Sequence, residues 1–469
     1  MALLKAKTTY GTVVGLPTNY QSSTIFKGIP YAKPPVGNLR WKAPEKPEPW
    51  EGEYEAYTYG PIPLQARPTE ASFYRKEFYP IEWPNSEDCL YINVITPAET
   101  PDEKLPVALW VYGGGFVQGY SQKLETDGEA FAQRGIVYVS FNYRVGPFGY
   151  LSCSALDSET DEGLSGNYGL LDQIAALDWV RENIAAFGGD PDNITIFGQS
   201  AGAMSVYSLL CSPLVKGKVA RAIMESGGGP LPLEMADPRK TRETSEKFFE
   251  YLNCSTAKEA REISSATLQE KWQEFIAENP IQGVAFCPVY PTTSLPCSIT
   301  DAFREEKYLD IPCIIGTVAT EDTAIGIAPI PEDVTNMRDG FMSGALAFYE
   351  KQAEQGRVPA YQYHITNVPP GPNYGAFHSS EHMYIFQTLL RSYRPFAGKD
   401  FELSRIMCAM WTNFIKTGNP NGEGLPEWSV FTKDSERVMR FDREGCAMMD
   451  YPEYNGASRK LANKVLNDQ

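Results

Sequence analysis

The stretch NITIFGQSAGAMSVYSLLC (residues 193–211) predicts a strand, a sharp turn and a helix in direct succession. Its β-rich residues 194–197 lead into the pentapeptide GQSAG at 198–202, which matches the G-x-S-x-G pattern, and a helical pattern then runs unbroken to Cys211. In such a turn the serine is held in a strained conformation with its hydroxyl exposed. The pattern alone also fits an ordinary serine in a glycine-rich turn. The strand before it and the helix after it favour Ser200 as a nucleophile.

A second glycine-rich stretch, VYGGGFVQG at 111–119, follows another apolar run. Three successive glycines let the backbone approach a substrate closely, so the N–H groups of Gly114 and Gly115 can point at one oxyanion. The N–H of Ala201 can join them, because a helix N-terminus stabilises developing negative charge. A phosphate-binding loop is the competing interpretation, but no Gly-Lys-Ser/Thr follows. We therefore predict an oxyanion hole formed by these three N–H groups.

Short apolar runs alternate with helical patterns along most of the chain, which is typical of βαβ units and a mainly parallel sheet. The predicted strands are residues 107–112, 136–142, 194–197, 220–225 and 311–316. A long stretch at 168–190 has apolar residues at helical spacing and ends at a Gly-Gly pair, so we expect a helix that crosses over the sheet. The carboxyl ends of the strands are where open α/β sheets build their sites.

The bulk composition narrows the class of protein. With 469 residues, of which 42% are hydrophobic and 22% charged, the chain can bury a large core. The formal net charge is −17 and no block of basic residues occurs, which argues against nucleic acid and membranes as partners. The N-terminus lacks the apolar segment of a signal peptide, and the longest apolar runs are too short to span a bilayer. Nine scattered cysteines without a C-x-x-C pair fit reduced thiols, so we expect a cytoplasmic protein.

Residues 378–382 read HSSEH and allow two chemistries. His378, Glu381 and His382 on one helical turn would match the H-x-x-E-H pattern of zinc peptidases, in which two histidines hold the metal and the glutamate is the base. Alternatively, His378 alone acts as a general base for a serine elsewhere in the chain. The zinc interpretation needs a third ligand and leaves the turn at Ser200 unexplained, so we favour the general base.

These segments resemble the type-B carboxylesterases of the α/β-hydrolase fold, a family that includes cholinesterases and bacterial p-nitrobenzyl esterases. The resemblance covers nearly the whole chain, and the long segment around Ser200 is very specific. The matching segments are FKGIPYAKPPVGNLRW (26–41), SEDCLYINV (86–94), WVYGGGFVQG (110–119), FNYRVGPFGYLS (141–152), GNYGLLDQIAALDWVRENIAAFGGDPDNITIFGQSAGA (166–203), MESGG (224–228), IIGTVATED (314–322), GAFHSSE (375–381) and WTNFIKTGNPNG (411–422).

The resemblance implies a serine carboxylesterase that works through an acyl-enzyme intermediate on a small-molecule ester, and we expect small or short-acyl esters. It implies the order serine, acid, histidine along the chain, with Ser200 as nucleophile and His378 as base. The acid is implied to be Glu321, because the family's Asp-Glu-Gly reads Thr320-Glu321-Asp322 here, and Asp322 is the second candidate. Neither a cofactor nor a metal is implied.

The same resemblance implies one α/β domain over residues 1–469, built on a large, mostly parallel, twisted sheet flanked by helices. The charged helical region at about 230–285 is predicted as an insertion, and the segment at about 323–358 as a further lid-like part over the site. Two buried ion pairs are also implied, and both are structural. They are Arg40 with Glu87 and Arg144 with Asp172.

Two other functions fit the same fold. One is a non-catalytic binding protein like the cholinesterase-like adhesion molecules, which lack the serine and are tethered to membranes. The other is a hydrolase of an amide, thioester or carbamate, which pocket shape would decide. The sequence leaves the natural substrate and the oligomeric state open, and it is compatible with a monomer or a dimer.

Overall fold

The computed structural model describes residues 2–70, 72–230, 237–281, 284–322, 337–432, 434–454 and 456–467. The strands in these ranges are β1 Lys5–Lys7, β2 Thr12–Val14, β3 Leu16–Pro17, β4 Thr24–Pro30, β5 Glu53–Glu55, β6 Ile62–Pro63, β7 Asn85–Ser86, β8 Tyr91–Thr96, β9 Leu105–Val111, β10 Val137–Phe141, β11 Gly189–Gln199, β12 Arg221–Glu225, β13 Cys313–Val318, β14 Tyr361–Ile365, β15 Arg437–Phe441 and β16 Ala447–Asp450.

The α-helices in the same ranges are α1 Phe73–Phe78, α2 Glu129–Ala132, α3 Gly146–Tyr150, α4 Ser154–Asp157, α5 Tyr168–Asn183, α6 Ala201–Leu210, α7 Pro238–Tyr251, α8 Ala257–Glu262, α9 Ser265–Glu278, α10 Ile299–Arg304, α11 Met337–Glu354, α12 His382–Ile385, α13 Gly398–Thr417 and α14 Ala457–Asn467. Across the described ranges, no helix is both long and apolar enough to cross a membrane.

Eleven of these strands form one large sheet in the order β16-β15-β14-β13-β12-β11-β9-β10-β8-β4-β3. Neighbouring strands run parallel from β15 through to β10 in this order. The pairs at both edges are antiparallel. The predicted mainly parallel sheet is therefore confirmed at the centre, and its edges make the whole sheet mixed.

All five predicted strands are confirmed, as β9 to β13, with ends that differ by a few residues. The largest difference is in β11, which begins at Gly189 rather than at Ile194 and has an irregular register between these two residues. Every residue of β10 and of β13 is buried. Strands covered on both faces carry apolar residues without alternation, which is why these runs are visible in the sequence.

The predicted crossover helix is α5, which contacts β11 and α6. The α-helix ends at Asn183, four residues before the end of the apolar pattern in the sequence. Those four residues, Ile184–Phe187, form a 3-10 turn. Gly188 then stops the helical chain in the left-handed conformation with φ +78°. A residue with a side chain is strained in that conformation, so the glycine has a specific role.

The region predicted as a helical insertion contains α7, α8 and α9. Phe248 from α7 and Trp272 from α9 pack in a hydrophobic cluster that also contains Phe116 and Met204, both close in sequence to the glycine loop or the Ser200 turn. These helices therefore pack beside the site. Of the predicted lid-like segment, residues 323–336 lie outside the described residues, and α11 forms most of the remainder.

Both predicted ion pairs are present and buried. Arg40 donates to the two carboxylate oxygens of Glu87 at 2.6 and 2.7 Å, and Arg144 donates to those of Asp172 at 2.7 and 2.8 Å. A third buried pair joins Arg394 to Glu77 at 2.7 Å, which the sequence analysis missed. Losing one partner of such a pair would leave a buried charge uncompensated, so their role is to hold the fold.

Candidate active site

Ser200 lies on a tight turn between β11 and α6. Its φ of +58° and ψ of −129° are rare for a residue with a side chain, and backbone strain of this kind is typical of functional sites. A Cβ on Gly198 or Gly202 would lie 2.6 or 2.1 Å from the carbonyl oxygen of Val111, so neither position tolerates a side chain. The N–H of Ser200 donates to the carbonyl oxygen of Glu225 at 2.8 Å. The turn is thus fixed between β9 and β12.

The glycine loop after β9 packs directly against this turn. Gly114 and Gly115 have φ of +129° and +62°, which favour glycine. A Cβ on Gly113 would lie 2.9 Å from the Cβ of Ser200, so the loop can approach the serine only without side chains. Gly114, Gly115 and Ala201 line the same cavity as Ser200. The three predicted oxyanion-hole residues are therefore on one surface with the serine.

The predicted acid and base come from two loops at the ends of β13 and β14. Glu321 and His378 lie in these loops, which are joined by a β-bridge between Thr320 and Phe377. His378 Nδ1 lies 2.5 Å from Glu321 Oε2, and both side chains are buried. The other carboxylate oxygen of Glu321 accepts a hydrogen bond from the N–H of Val318 at 2.9 Å. The carboxylate is therefore held on one side and faces the imidazole on the other.

Asp322, the second candidate for the acid, has a different contact. Its Oδ1 accepts a hydrogen bond from the N–H of Met337 at 2.8 Å, at the start of α11. Glu321, and not Asp322, is the carboxylate that contacts His378. The geometry thus favours the residue that the resemblance implies.

The five residues HSSEH do not form one helical turn. Helix α12 begins only at His382, and Ser379 interrupts the chain before it with φ +70°. His378 and His382 therefore lack the helical spacing that the zinc-peptidase pattern requires. In the described part of the chain, no group of three or more His, Cys, Asp or Glu side chains could hold a metal ion.

Gln199 is a site residue that the sequence analysis missed. Its side chain is buried, and its Nε2 lies 3.2 Å from His378 Nε2. It occupies the unspecified position before the serine in G-x-S-x-G, so the motif gives no signal for its role. Its amide is close enough to donate a hydrogen bond to that imidazole nitrogen.

Two further buried carboxylates, Glu381 and Glu225, lie near the histidine–glutamate pair. Burial and the neighbouring Glu321 raise the pKa of Glu381 to about 7. Its Oε1 accepts a hydrogen bond from the hydroxyl of Ser226 at 3.0 Å. Burial, together with Glu381, also raises the pKa of Glu225 well above its usual value, although Trp411 Nε1 donates to it at 2.7 Å. These groups hold a proton more readily than an exposed carboxylate, which limits the negative charge beside Glu321.

Ser200 and His378 open into one cavity of about 1080 Å³. This volume is slightly above the usual range for pockets that bind small molecules, about 300–1,000 Å³. Much of the lining is apolar, with contributions from α1, α9 and α11. The apolar side chains from these three helices are Phe73, Tyr74, Phe78, Trp272, Ile276, Met337 and Phe341.

A serine turn follows β11 of the mostly parallel sheet, and a later loop brings a histidine, itself in contact with a buried glutamate, into the same cavity. This is the architecture of an α/β hydrolase. The chain belongs to the carboxylesterase family, which matches residues 3–339 and 335–458. It is therefore a carboxylic ester hydrolase, and a small-molecule ester is its substrate.

Similar proteins agree with this assignment. The chain is 35% identical to the para-nitrobenzyl esterase of Bacillus subtilis (strain 168), over 93% of this chain and 94% of that protein. It is 31% identical to the fumonisin B1 esterase of Sphingopyxis macrogoltabida, over 89% of this chain and 83% of that protein. Among solved structures, a thermophilic PNB esterase is 32% identical and superimposes with a TM-score of 0.83, covering 97% of this chain and 99% of that one.

Proposed function

We propose that Ser200, His378 and Glu321 form the catalytic triad of this ester hydrolase. The observation that carries the proposal is the 2.5 Å contact between His378 Nδ1 and Glu321 Oε2, beside the cavity that Ser200 lines. A carboxylate in this place accepts a hydrogen bond from Nδ1–H, so the proton stays on Nδ1 and Nε2 is free to take the proton of the serine hydroxyl. The amide of Gln199 must give way to the serine at that moment.

In the first half of the reaction, His378 takes the proton of Ser200 while Oγ bonds to the ester carbonyl carbon. The carbonyl electron pair moves to the oxygen, and the N–H groups of Gly114, Gly115 and Ala201 donate to this oxyanion. Each such donor contributes about 2.7–4 kcal/mol to lowering the barrier. The intermediate then collapses, the bond to the alcohol oxygen breaks, and the alcohol leaves with the proton from His378.

In the second half, water attacks the acyl-enzyme. His378 takes a proton from the water as the water oxygen bonds to the acyl carbon, and the oxyanion forms again in the same place. The bond from that carbon to Ser200 Oγ then breaks, and His378 returns the proton to Oγ. The products are the carboxylic acid and the regenerated serine. The steps use only groups of the protein and water.

Trapping the acyl-enzyme tests this function. When the enzyme is mixed with p-nitrophenyl acetate and quenched in acid within the first turnovers, we expect one acetyl group on the peptide that contains Ser200. A burst of nitrophenol equal to the enzyme concentration should accompany it. The experiment is run with a strong zinc chelator present, so that a metal-dependent reaction cannot contribute.

Two results would contradict the proposal. An acetyl group found on another residue would move the nucleophile away from the turn after β11. Steady hydrolysis with no acetylated peptide, under a quench fast enough to catch the burst, would point to direct attack by water.

We propose further that the acyl part is short and that the alcohol part of the ester fills most of the cavity. A long acyl chain would then compete with the alcohol for the same volume. Across p-nitrophenyl esters from acetate to laurate, kcat/KM should be highest between acetate and butyrate and should fall for longer chains. A maximum at laurate would show that the acyl chain occupies the large cavity instead.

We also propose that helices α7 to α9 and residues 337–358, the described part of the predicted lid-like segment, form a lid over this site within a single domain. Trp272 and Ile276 from α9 and Phe341 from α11 line the cavity, which supports this role.

All nine cysteines are free thiols, which supports the expected location in a reducing cytoplasm.

A further inference from the structure

The lysine and carboxylate side chains of this chain are distributed unevenly around the active-site cavity. Among the described residues that line it, two carry a formal charge, Arg67 and Lys123, and neither aspartate nor glutamate is present. This bias is opposite to that of the whole chain, which has 59 acidic and 42 basic residues. The lining therefore favours a negative or neutral group in the cavity over a positive one.

Arg67 already has strong partners in the protein. Its Nη1 lies 2.9 Å from Glu82 Oε2, and its Nη2 donates to the carbonyl oxygen of Trp83 at 2.9 Å. Its side chain is also more than a third exposed, so water screens its charge. Arg67 thus adds little attraction for a ligand, and the preference of the cavity depends on Lys123.

The ammonium of Lys123 is only loosely paired. Its Nζ lies 3.7 Å from Glu125 Oε1, which is too long for a hydrogen bond. The ring centre of Tyr79 lies 4.4 Å from the same atom. An aromatic face attracts a cation but is a poor acceptor of hydrogen bonds. Within the described part of the chain, these contacts leave the N–H donors of the ammonium available to a ligand.

Lys123 and its counter-charge lie on different sides of the cavity wall. The side chain of Lys123 is 10% exposed and lines the cavity, whereas Glu125 lines a separate pocket of about 450 Å³. Burial and, after it, the charge of Lys123 hold the pKa of His382, another lining residue, well below its usual range. The positive charge of Lys123 therefore acts inside the cavity.

Glu125 balances this charge only in part. Its side chain is buried, and burial raises its pKa to about 7. Near neutral pH a substantial fraction of Glu125 is therefore protonated and neutral. A carboxylate on a ligand could approach Lys123 to hydrogen-bond distance and supply the counter-charge that Glu125 does not fully provide.

The other negative charges of the protein oppose this preference only weakly. Glu321 is in contact with His378, and burial, with Glu321 beside it, raises the pKa of Glu381 to about 7. Neither glutamate is among the residues that line the cavity. The negative charge of the outer surface is screened over about 8 Å at physiological ionic strength.

We infer that Lys123 forms an anion subsite in the active-site cavity, and that the substrates are esters that carry a carboxylate in their acyl or alcohol part. Half-esters of dicarboxylic acids and acyl esters of hydroxy acids have this chemistry. The inference rests on the proposed function of Ser200, and it adds the charge of the substrate, which the triad leaves open.

Two matched pairs of esters test the inference. In the first pair the charge is on the acyl part, with ethyl hydrogen succinate compared with ethyl levulinate, in which a methyl ketone replaces the carboxylate. In the second pair it is on the alcohol part, with 3-acetoxypropanoate compared with 4-acetoxy-2-butanone. The quantity to measure at pH 7 is the ratio of kcat/KM for the charged ester to that for its neutral partner.

We expect a ratio of at least about ten in one of the two pairs, the usual effect of a hydrogen bond to a charged group. The pair that responds then shows which part of the ester lies beside Lys123. Lys123→Met should lower this ratio about tenfold or more. Glu125→Gln should raise it a few-fold, because the competing carboxylate is replaced by a neutral amide of the same shape.

The matched control is Lys216→Met, which removes the same charge from an exposed residue that does not line the cavity, and it should keep the wild-type ratio. Each ratio compares two esters on one enzyme sample, so a partly unfolded fraction of a variant cancels. A wild-type ratio near or below one in both pairs, or an unchanged ratio in Lys123→Met, would overturn the inference.

Should Lys123→Met fail to fold, Glu125→Gln decides, and an unchanged or lowered ratio in that variant would overturn the inference. Hydrolysis of p-nitrophenyl acetate by the wild type is measured alongside. Its absence would refute the proposed esterase function, whereas its presence with a ratio near one in both pairs refutes the anion subsite alone.

Discussion

Replacing Ser200 by alanine should lower kcat for p-nitrophenyl acetate by about 10⁶-fold, the typical cost of removing the nucleophile of a serine triad. The residual rate should still exceed that of water, because the oxyanion donors and the binding cavity remain. The fold should be unaffected, since the hydrogen bonds that fix the turn use the backbone of Ser200, to Glu225 and from Met204. Rates are measured with a zinc chelator present, and thermal unfolding is compared with the wild type.

A matched control is Ser379→Ala. Ser379 lies next to His378 and lines the same cavity, but it has no proposed part in bond breaking. We expect its activity to stay within about tenfold of the wild type, as for a substitution that removes no catalytic group. Activity retained by Ser200→Ala would refute the triad. Wild-type activity abolished by the chelator would return the zinc interpretation of HSSEH to consideration.

The parts of the fold that sequence patterns predicted are those with local signals. The apolar runs of β9 to β13 are visible because both faces of the sheet are covered, and the turn at Ser200 is visible because its two glycines have no room for side chains. The acid could not be reached in this way. Only the family resemblance points to Glu321, and the contact with His378 is what separates it from the adjacent Asp322.

What the sequence missed depends on contacts between distant segments. The side chain of Gln199 contacts His378, which is 179 residues away in the sequence. Arg394 contacts Glu77, which is 317 residues away. Neither residue type nor spacing predicts such a contact, because a single sequence does not distinguish a buried arginine or glutamine from an exposed one. For the same reason the sequence predicts no role for His382. In the structure this residue lines the cavity.

Replacing Glu321 by glutamine should lower kcat by about 10⁴-fold and leave KM nearly unchanged. The two side chains have the same shape, but the amide cannot serve both of its neighbours as the carboxylate does. Glu321 accepts from the N–H of Val318 through one oxygen and contacts His378 Nδ1 through the other. If the amide oxygen keeps the bond to Val318, the NH₂ group faces Nδ1 and forces the ring proton onto Nε2. The imidazole then cannot take the proton of Ser200.

If the amide instead turns its oxygen to His378, its NH₂ group faces the N–H of Val318, and two donors oppose each other. Either orientation therefore costs activity or stability, whereas Asp322→Asn changes a carboxylate whose contact is the N–H of Met337. We expect Asp322→Asn to keep kcat within a few-fold of the wild type. The measurement is steady-state kinetics of both variants with p-nitrophenyl acetate, alongside thermal unfolding. A large loss of kcat in Asp322→Asn together with an active Glu321→Gln would reverse the assignment of the acid, because the carboxylate that orients His378 must be the one whose charge the reaction cannot do without.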